Sequence, residues 1–271
     1  MSFPPPKAIA EIGVFGGSGF YSLLDKSDRF WVETPYGMPS DQVTVGTIEG
    51  RKVAFLPRHG ADHRYPPHTI NYRANAWAMK ALGVHSVLGP CASGSLQPDI
   101  APGDFVVCDQ FVDRTTGRKD TFYDGPITTH LAMADPYCPE LMKIVLKAAT
   151  DMGIVVHEGG TVVVIQGPRF STRAESRWFT SMGWEVINMT QYPECYLARE
   201  LGMSYAMIAL ITDWDVGLEG DPNIKPVTHE EVIKVFQANN EKIKTLLHKI
   251  IPMVPKKANP MCADVLKGAR F

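Results

Sequence analysis

Short apolar runs recur along the chain at 12–15, 53–56, 84–88, 105–107, 162–165, 186–187 and 205–211, bounded by Gly, Pro or Asp. Within each run the apolar residues are continuous rather than alternating. Continuity marks strands covered on both faces, so these runs predict a central sheet between layers of helix. Between them the spacing changes to that of helices with one apolar face, at 72–82, 139–152, 173–182, 194–201 and 229–251. Gly83, Gly153, Gly183 and Gly202 follow the first four, where a residue tolerant of left-handed backbone ends a helix cheaply. Thr228 and Glu231 stand in capping-box spacing at the head of the fifth. The predicted class is an α/β single-domain sandwich with a central mixed β-sheet flanked by helices. One domain is expected over 1–271, with loosely held Pro-rich ends at about 1–8 and 253–271.

Composition narrows the partners. The 271 residues suffice for one large core, and a formal net charge of -2 disfavours a surface built to neutralise many phosphates. No nucleic-acid or membrane partner is therefore expected, while a single anion pocket is allowed. Five cysteines without a CxxC pair indicate reduced thiols rather than a disulfide framework or a thiolate zinc site. No segment approaches the roughly 20 apolar residues of a membrane helix, and a cytoplasmic location is expected.

Chemistry is then sought in the loops that follow strands. The first run leads into Gly16, Gly17, Ser18 and Gly19, a turn whose backbone amides can approach an anion. A dinucleotide reading of that turn lacks the third Gly, since Tyr21 or Ser22 stands there, and the Walker Lys is missing too. Arg58, His59 and Gly60 end the second run, bringing a permanent cation and an imidazole donor to the sheet edge. His63 and His68 follow closely, but no carboxylate or third His has ligand spacing, so no metal is expected.

Cys91 to Ser95 form a small-residue strand exit, and Phe170, Met189 and Thr190 each follow a later run. The last run ends in Thr212, Asp213, Trp214 and Asp215; if that stretch is extended, both carboxylates share a face and address one ligand edge. Taken singly, each of these has a plainer reading as a tight turn, a core side chain or a solvated acid.

In order, GGSGF, RHGADH with INYRANAWAMKALG, CASGSL, DQFVDRTTGR with TFYDG, HLAMADPYCP, IQGPRFSTRAES, INMTQYPE and TDWD make the chain resemble the trimeric purine nucleoside and methylthioadenosine phosphorylase family. The resemblance runs from about residue 12 to 251. It implies a purine/uridine phosphorylase-like fold and phosphorolysis of S-methyl-5'-thioadenosine, with inorganic phosphate as co-substrate and no cofactor. It further implies that Ser18, Arg58, His59, the Ala92 backbone and Thr190 hold phosphate. Cys91, Phe170, Ser171, Met189, Asp213, Asp215, His229 and Val232 would then line the nucleoside pocket, and His130 would close it from a neighbouring subunit of a homotrimer. Arg58, His59 and Asp213 would be the catalytic groups, Asp213 easing the purine out at N7.

An Asp at 213 marks 6-aminopurines in that family, where 6-oxopurine enzymes carry Asn. His229 departs from the thioether pattern, because it stands where nucleoside-type members hold a His for the 5'-hydroxyl. A purine nucleoside phosphorylase acting on adenosine, inosine, guanosine or methylthioinosine is the alternative. A nucleoside-binding regulator would have no need of the anion site, and a dinucleotide-linked oxidoreductase is weakened by the failed glycine motif.

Overall fold

The computed structural model describes residues 9–16, 24–217 and 224–270, and the side chains of residues 25 and 26 are not described. Each apolar run forms a strand: β1 (Ile12–Gly16), β4 (Arg51–Pro57), β5 (Ser86–Ser95), β6 (Phe105–Val107), β9 (Thr161–Ile165), β10 (Val186–Asn188) and β11 (Ser204–Asp213). Four more strands lack such a run: β2 (Asp25–Phe30), β3 (Val43–Ile48), β7 (Gln110–Arg114) and β8 (Val156–Glu158). Their sequences, DKSDRF, VTVGTI, QFVDR and VHE, are short or mixed in polarity. β2, β7 and β8 lie at ends of the strand order, where one edge needs no apolar cover.

The helices are α1 (Tyr72–Ala81), α2 (Pro139–Asp151), α3 (Arg173–Ser181), α4 (Gln191–Glu200), α5 (His229–Ile250) and α6 (Pro260–Ala263). The predicted capping box is made at α5, where the Thr228 hydroxyl accepts from the Glu231 amide and Glu231 reaches back to the Thr228 amide. α3 has a second one, built from Thr172 and Glu175. No helix among the described residues is long and apolar enough to cross a membrane.

Among the described residues 11 strands form one mixed sheet in the order β2-β3-β4-β1-β5-β10-β9-β7, while β11 pairs β5 and leads on to β6 and β8. Strand β11 shows why such a sheet needs cover on both sides. Its odd residues Tyr205, Met207, Ala209 and Ile211 join the cluster with Trp77 and Met79 of α1 and Leu197 of α4. Its even residues Ala206, Ile208 and Leu210 join Leu141 and Val145 of α2 and Leu246 and Ile250 of α5. Each large aliphatic side chain buried this way stabilises the fold by roughly 1.5–3 kcal/mol.

The expected loose C-terminus is corrected. Val254 and Cys262 are buried in the α2/α5 layer, and the Arg51 guanidinium donates to the Val254 carbonyl at 2.6 Å. The prolines there punctuate a packed strap: Pro260 opens α6, whose N-cap Asn259 accepts from the Met261 amide. The expected looseness at 1–8 concerns residues outside those described.

Strand β5 is the spine of the site. On one edge it pairs β1 only as far as Leu88 and β10 only from Gly94 onward. On the other edge β11 accompanies it from Ser86 to Gly94. Residues 89–93 therefore have a strand partner on one edge and, among the described residues, none on the other. Such a split beside strand C-termini is where open α/β sheets bind ligands.

Candidate active site

Arg58 enters this split from the end of β4. Its guanidinium is buried, and Nη1 donates to the Pro90 carbonyl at 2.9 Å while Nη2 donates to the Phe15 carbonyl at 2.9 Å. Nε and Nη2 also donate to the two carboxylate oxygens of Glu194 in α4, at 2.9 and 2.8 Å. Burial opposes the charge on Arg58, but Glu194 more than offsets it and holds the guanidinium protonated. The sequence reading expects a cation on an open edge. The structure instead buries it in an ion pair, leaving one Nη1 hydrogen outside these contacts. Glu194, anchored in turn by the Tyr205 hydroxyl at 2.7 Å, is a site residue to which the sequence assigned no role, although the motif INMTQYPE ends on it.

His59 is corrected from donor to acceptor. Its Nδ1 lies 2.9 Å from the Tyr65 carbonyl, and a carbonyl only accepts, so Nδ1 carries the hydrogen and Nε2 a lone pair. Burial lowers its pKa to about 4 against the pull of that bond, with Arg58 and His63 adding to the fall. At neutral pH the ring is uncharged.

Across the split, Pro90 turns its carbonyl toward Arg58. Backbone groups alternate along a strand, so Ala92, two residues on, presents its N–H along the same open edge. Cys91 is buried, with its sulfur 3.6 Å from the Ser93 hydroxyl and accepting from the side-chain Nδ2 of Asn188 at 3.5 Å. Asn188 brings the exit of β10 alongside, and with it half-buried Met189 and buried Thr190. Thr190 is the N-cap of α4, yet its hydroxyl makes no capping bond.

On the β11 side, the Thr212 hydroxyl bridges the Ser93 carbonyl at 3.2 Å and Asp213 Oδ2 at 2.7 Å. Gly94 is pinched between strands, since a Cβ there would lie 2.8 Å from Asp213 Oδ1 and 2.9 Å from Ile187 Cγ2. Burial raises the pKa of Asp213, and nearby Glu231 of α5 adds to the rise. Thus Glu231, read from sequence as a cap alone, also acts on the acid.

Asp215 does not continue the strand as expected: it sits in the turn with φ +46°, so strand alternation is not what pairs the two acids. Its amide folds back to donate to Asp213 Oδ1 at 2.8 Å. Asp215 is buried and burial raises its pKa to about 6, with the hydroxyls of Ser176 and Ser171 opposing the rise.

Those hydroxyls bring in the next wall. Ser171 is half-buried, Phe170 is exposed, and Arg169 fixes their turn through a bidentate pair with Glu175 at 2.8 and 2.7 Å. Arg173 donates to the Val216 carbonyl at 3.2 Å, joining α3 to the acidic turn. From the other direction the Val227 amide donates to the Asp215 carbonyl at 2.7 Å, which sets the start of α5 beside it. His229 is exposed and Val232 half-buried in that first turn.

Two expected site residues stand apart. Ser18 lies outside the described residues. His130 is exposed on the segment after β7, its amide donating to the Ala269 carbonyl at 2.8 Å. It lines a separate cavity of about 770 Å³ with Phe111, Tyr123, Tyr192 and Tyr196, and none of the other expected site residues is there. Within one chain the structure does not bring His130 to Arg58 and Asp213. No cluster of three or more potential metal ligands occurs among the described residues.

A family model described as the phosphorylase superfamily matches residues 11–252. The chain is 54% identical over 245 residues to the S-methyl-5'-thioadenosine phosphorylase of Mycolicibacterium smegmatis, spanning 90% of this chain and 91% of that one. It is 48% identical over 264 residues to the purine nucleoside phosphorylase of Streptomyces coelicolor, spanning 94% and 93%. Its fold matches a single-substitution variant of the Schistosoma mansoni adenosine/methylthioadenosine phosphorylase, solved with methylthioadenosine, at a TM-score of 0.87 and 36% identity over 96% of each chain.

Proposed function

The chain belongs to the phosphorylase superfamily, and from that premise we propose that it catalyses attack of inorganic phosphate on C1' of S-methyl-5'-thioadenosine, releasing adenine and 5-methylthioribose 1-phosphate. The observation that carries this reading is the convergence of Arg58 and Asp213 on one stretch of β5. Arg58 holds the Pro90 carbonyl, while Thr212 ties Asp213 to the Ser93 carbonyl three residues away. An anion at one end and an acid at the other then flank a single sugar.

At the basic end, the remaining Arg58 N–H, the Ala92 amide and the Thr190 hydroxyl supply donors to phosphate, with Ser18 as a further hydroxyl. His59 Nε2 accepts the hydrogen of hydrogenphosphate. Fixing that anion below C1' removes the entropy of encounter and sets negative charge where the sugar becomes oxocarbenium-like. At the acidic end, burial raises the pKa of Asp213 and so favours the protonated form, which shares its hydrogen with N7 as adenine departs. Asp215 stands beside it to face the base edge, while Phe170 and Ser171 line the base and Met189 lies along the ribose. With one oxygen of the Asp213 carboxyl donating to N7, the other accepts from the 6-amino group and finds no donor on a 6-oxo group, which favours adenine.

The second reading, a purine nucleoside phosphorylase, is favoured by His229 at the start of α5 and by the 48% identical Streptomyces relative. One assay separates them. Methylthioadenosine, methylthioinosine, adenosine and inosine are each incubated with the protein, with and without phosphate. Phosphate-dependent adenine release with the highest kcat/KM for methylthioadenosine is expected; an equal or higher value for inosine or adenosine selects the second reading. Three copies forming a ring, with His130 closing a neighbour's 5' pocket, complete the proposal.

A further inference from the structure

The strands that carry the two walls of the nucleoside pocket part company before they reach it. β9 and β10 are paired only as far as Val164 and Asn188, after which the turns bearing Phe170 and Met189 leave the ladder. A single side chain spans them there. Arg118, on the segment after β7, donates from Nη2 to the carbonyls of Gln166 and Met189, both at 2.9 Å. Its Nη1 donates to the Tyr192 carbonyl and meets the Tyr72 hydroxyl at 3.4 Å. The guanidinium lies 5.4 Å over the Tyr72 ring, and Tyr72 is itself fixed by its bond to the Pro67 carbonyl at 2.9 Å.

The strap that presents Arg118 is tied independently at both ends. Thr116 and Gln166 exchange two hydrogen bonds, at 3.0 and 2.9 Å. Further on, the Thr121 hydroxyl and the Phe122 amide donate to the two oxygens of buried Glu200, at 2.6 and 2.8 Å. The strap therefore stays in place without Arg118, and what the guanidinium adds is the spacing between the walls. Gly167 leaves no slack in that spacing: a Cβ there would lie 2.7 Å from the Met189 sulfur.

We propose that Arg118 is a positioning residue of the nucleoside pocket, bridging the Gln166 and Met189 carbonyls so that the base wall and the ribose wall keep one separation. This rests on the function proposed above, because it assigns Phe170, Ser171 and Met189 to the nucleoside. Arg118 touches no phosphate donor, so its loss acts on one substrate only. A lysine keeps the charge, but its one nitrogen ends a bond short of Nη2 and it has no second arm to take the Tyr192 carbonyl, so it cannot hold all three carbonyls at that spacing.

The test is steady-state kinetics of Arg118→Lys in both substrates, alongside urea unfolding. The expected result is a KM for methylthioadenosine raised at least roughly tenfold, with kcat and the phosphate KM changed less than about threefold. An unchanged nucleoside KM overturns the proposal, as does a parallel rise in both KM values or a loss of kcat matching lost folded protein. Should Arg118→Lys fail to fold, Arg118→Gln keeps a donor but is too short to bridge the two carbonyls, while the bonds to Gln166 and Glu200 still hold the strap. A nucleoside KM raised at folded wild-type stability supports the clamp, and no change overturns it. Should the wild type turn over a different purine nucleoside instead, the functional reading fails separately, and the same comparison is made on that nucleoside.

Discussion

Both carboxylate oxygens of Asp213 are already engaged, one by the Asp215 amide and one by the Thr212 hydroxyl. A carboxamide can reproduce that arrangement, its oxygen accepting from Asp215 while its NH2 donates to Thr212, whose own hydrogen turns to the Ser93 carbonyl. Asp213→Asn is therefore expected to fold with wild-type stability, yet to lose kcat on methylthioadenosine by about 10²-fold or more, since no proton remains to share with N7. Thermal unfolding and turnover measured together check both halves.

Asp215 gives a pH signature. Its pKa rises from 3.8 to about 6 on folding, so the folded state binds the extra proton across that window. Stability from this group is complete below 3.8 and is lost as pH climbs through 6. Asp215→Asn removes that dependence, and the variant should gain on the wild type between pH 4 and 7 by on the order of 2–3 kcal/mol, at 1.36 kcal/mol per pH unit. Urea titrations at several pH values would contradict this if the difference were flat.

Glu194 is the opposite case, a partner whose removal strands a charge. Glu194→Ala leaves Arg58 buried without its counter-ion and should cost about 3–5 kcal/mol in the same urea assay. Sequence displayed Arg58 and Asp213 because each follows an apolar run. Glu194 escaped because its partner lies 136 residues away, and nothing local in QYPECYLARE marks one acid above the other.

At the level of elements, the site exists because β5 changes neighbours. Gly94 is where β10 and β11 close upon it from opposite edges, and a methyl group must displace either the Asp213 carboxylate or Ile187. Gly94→Ala is expected to destabilise the fold by about 1–3 kcal/mol through overpacking, and to lower kcat/KM at least tenfold because the acid is the more easily moved neighbour. Retained kcat/KM in a destabilised variant would place the strain on Ile187 instead.

The central strands and five of the helices were legible because burial on both faces leaves continuous apolar runs and burial on one face leaves a helical stripe. β2, β7 and β8 were not, since strands at the ends of the strand order need few apolar residues. The turn at Asp215 misled for a related reason: alternation describes an extended chain, and the sequence TDWD carries no glycine to announce a left-handed residue. Arg118 was within a quoted motif, but its targets are main-chain carbonyls, which leave no imprint on side-chain pattern.

For the whole molecule, the position of His130 poses a question that a single chain cannot satisfy. It sits over a cavity of about 770 Å³, away from the acids and the buried arginine, on a segment held by the C-terminal strap. If a ring of three brings that segment to a neighbour's pocket, each active site is composite, with Asp213 from one chain and His130 from the next. Composite sites complement one another.

Asp213→Asn and His130→Ala homo-oligomers should each be impaired at substrate concentrations below the wild-type KM, the first through chemistry and the second through an open 5' pocket. Dissociating an equal mixture and reassembling it yields some sites in which an intact Asp213 faces an intact His130. With random assembly these amount to roughly a quarter of all sites, so activity should rise well above the mean of the two parents. Light scattering on the native protein should give about three times 29.9 kDa. A mixture no more active than that mean, with subunit exchange verified by a mass tag on one parent, would return His130 to its own chain or to no role in the pocket.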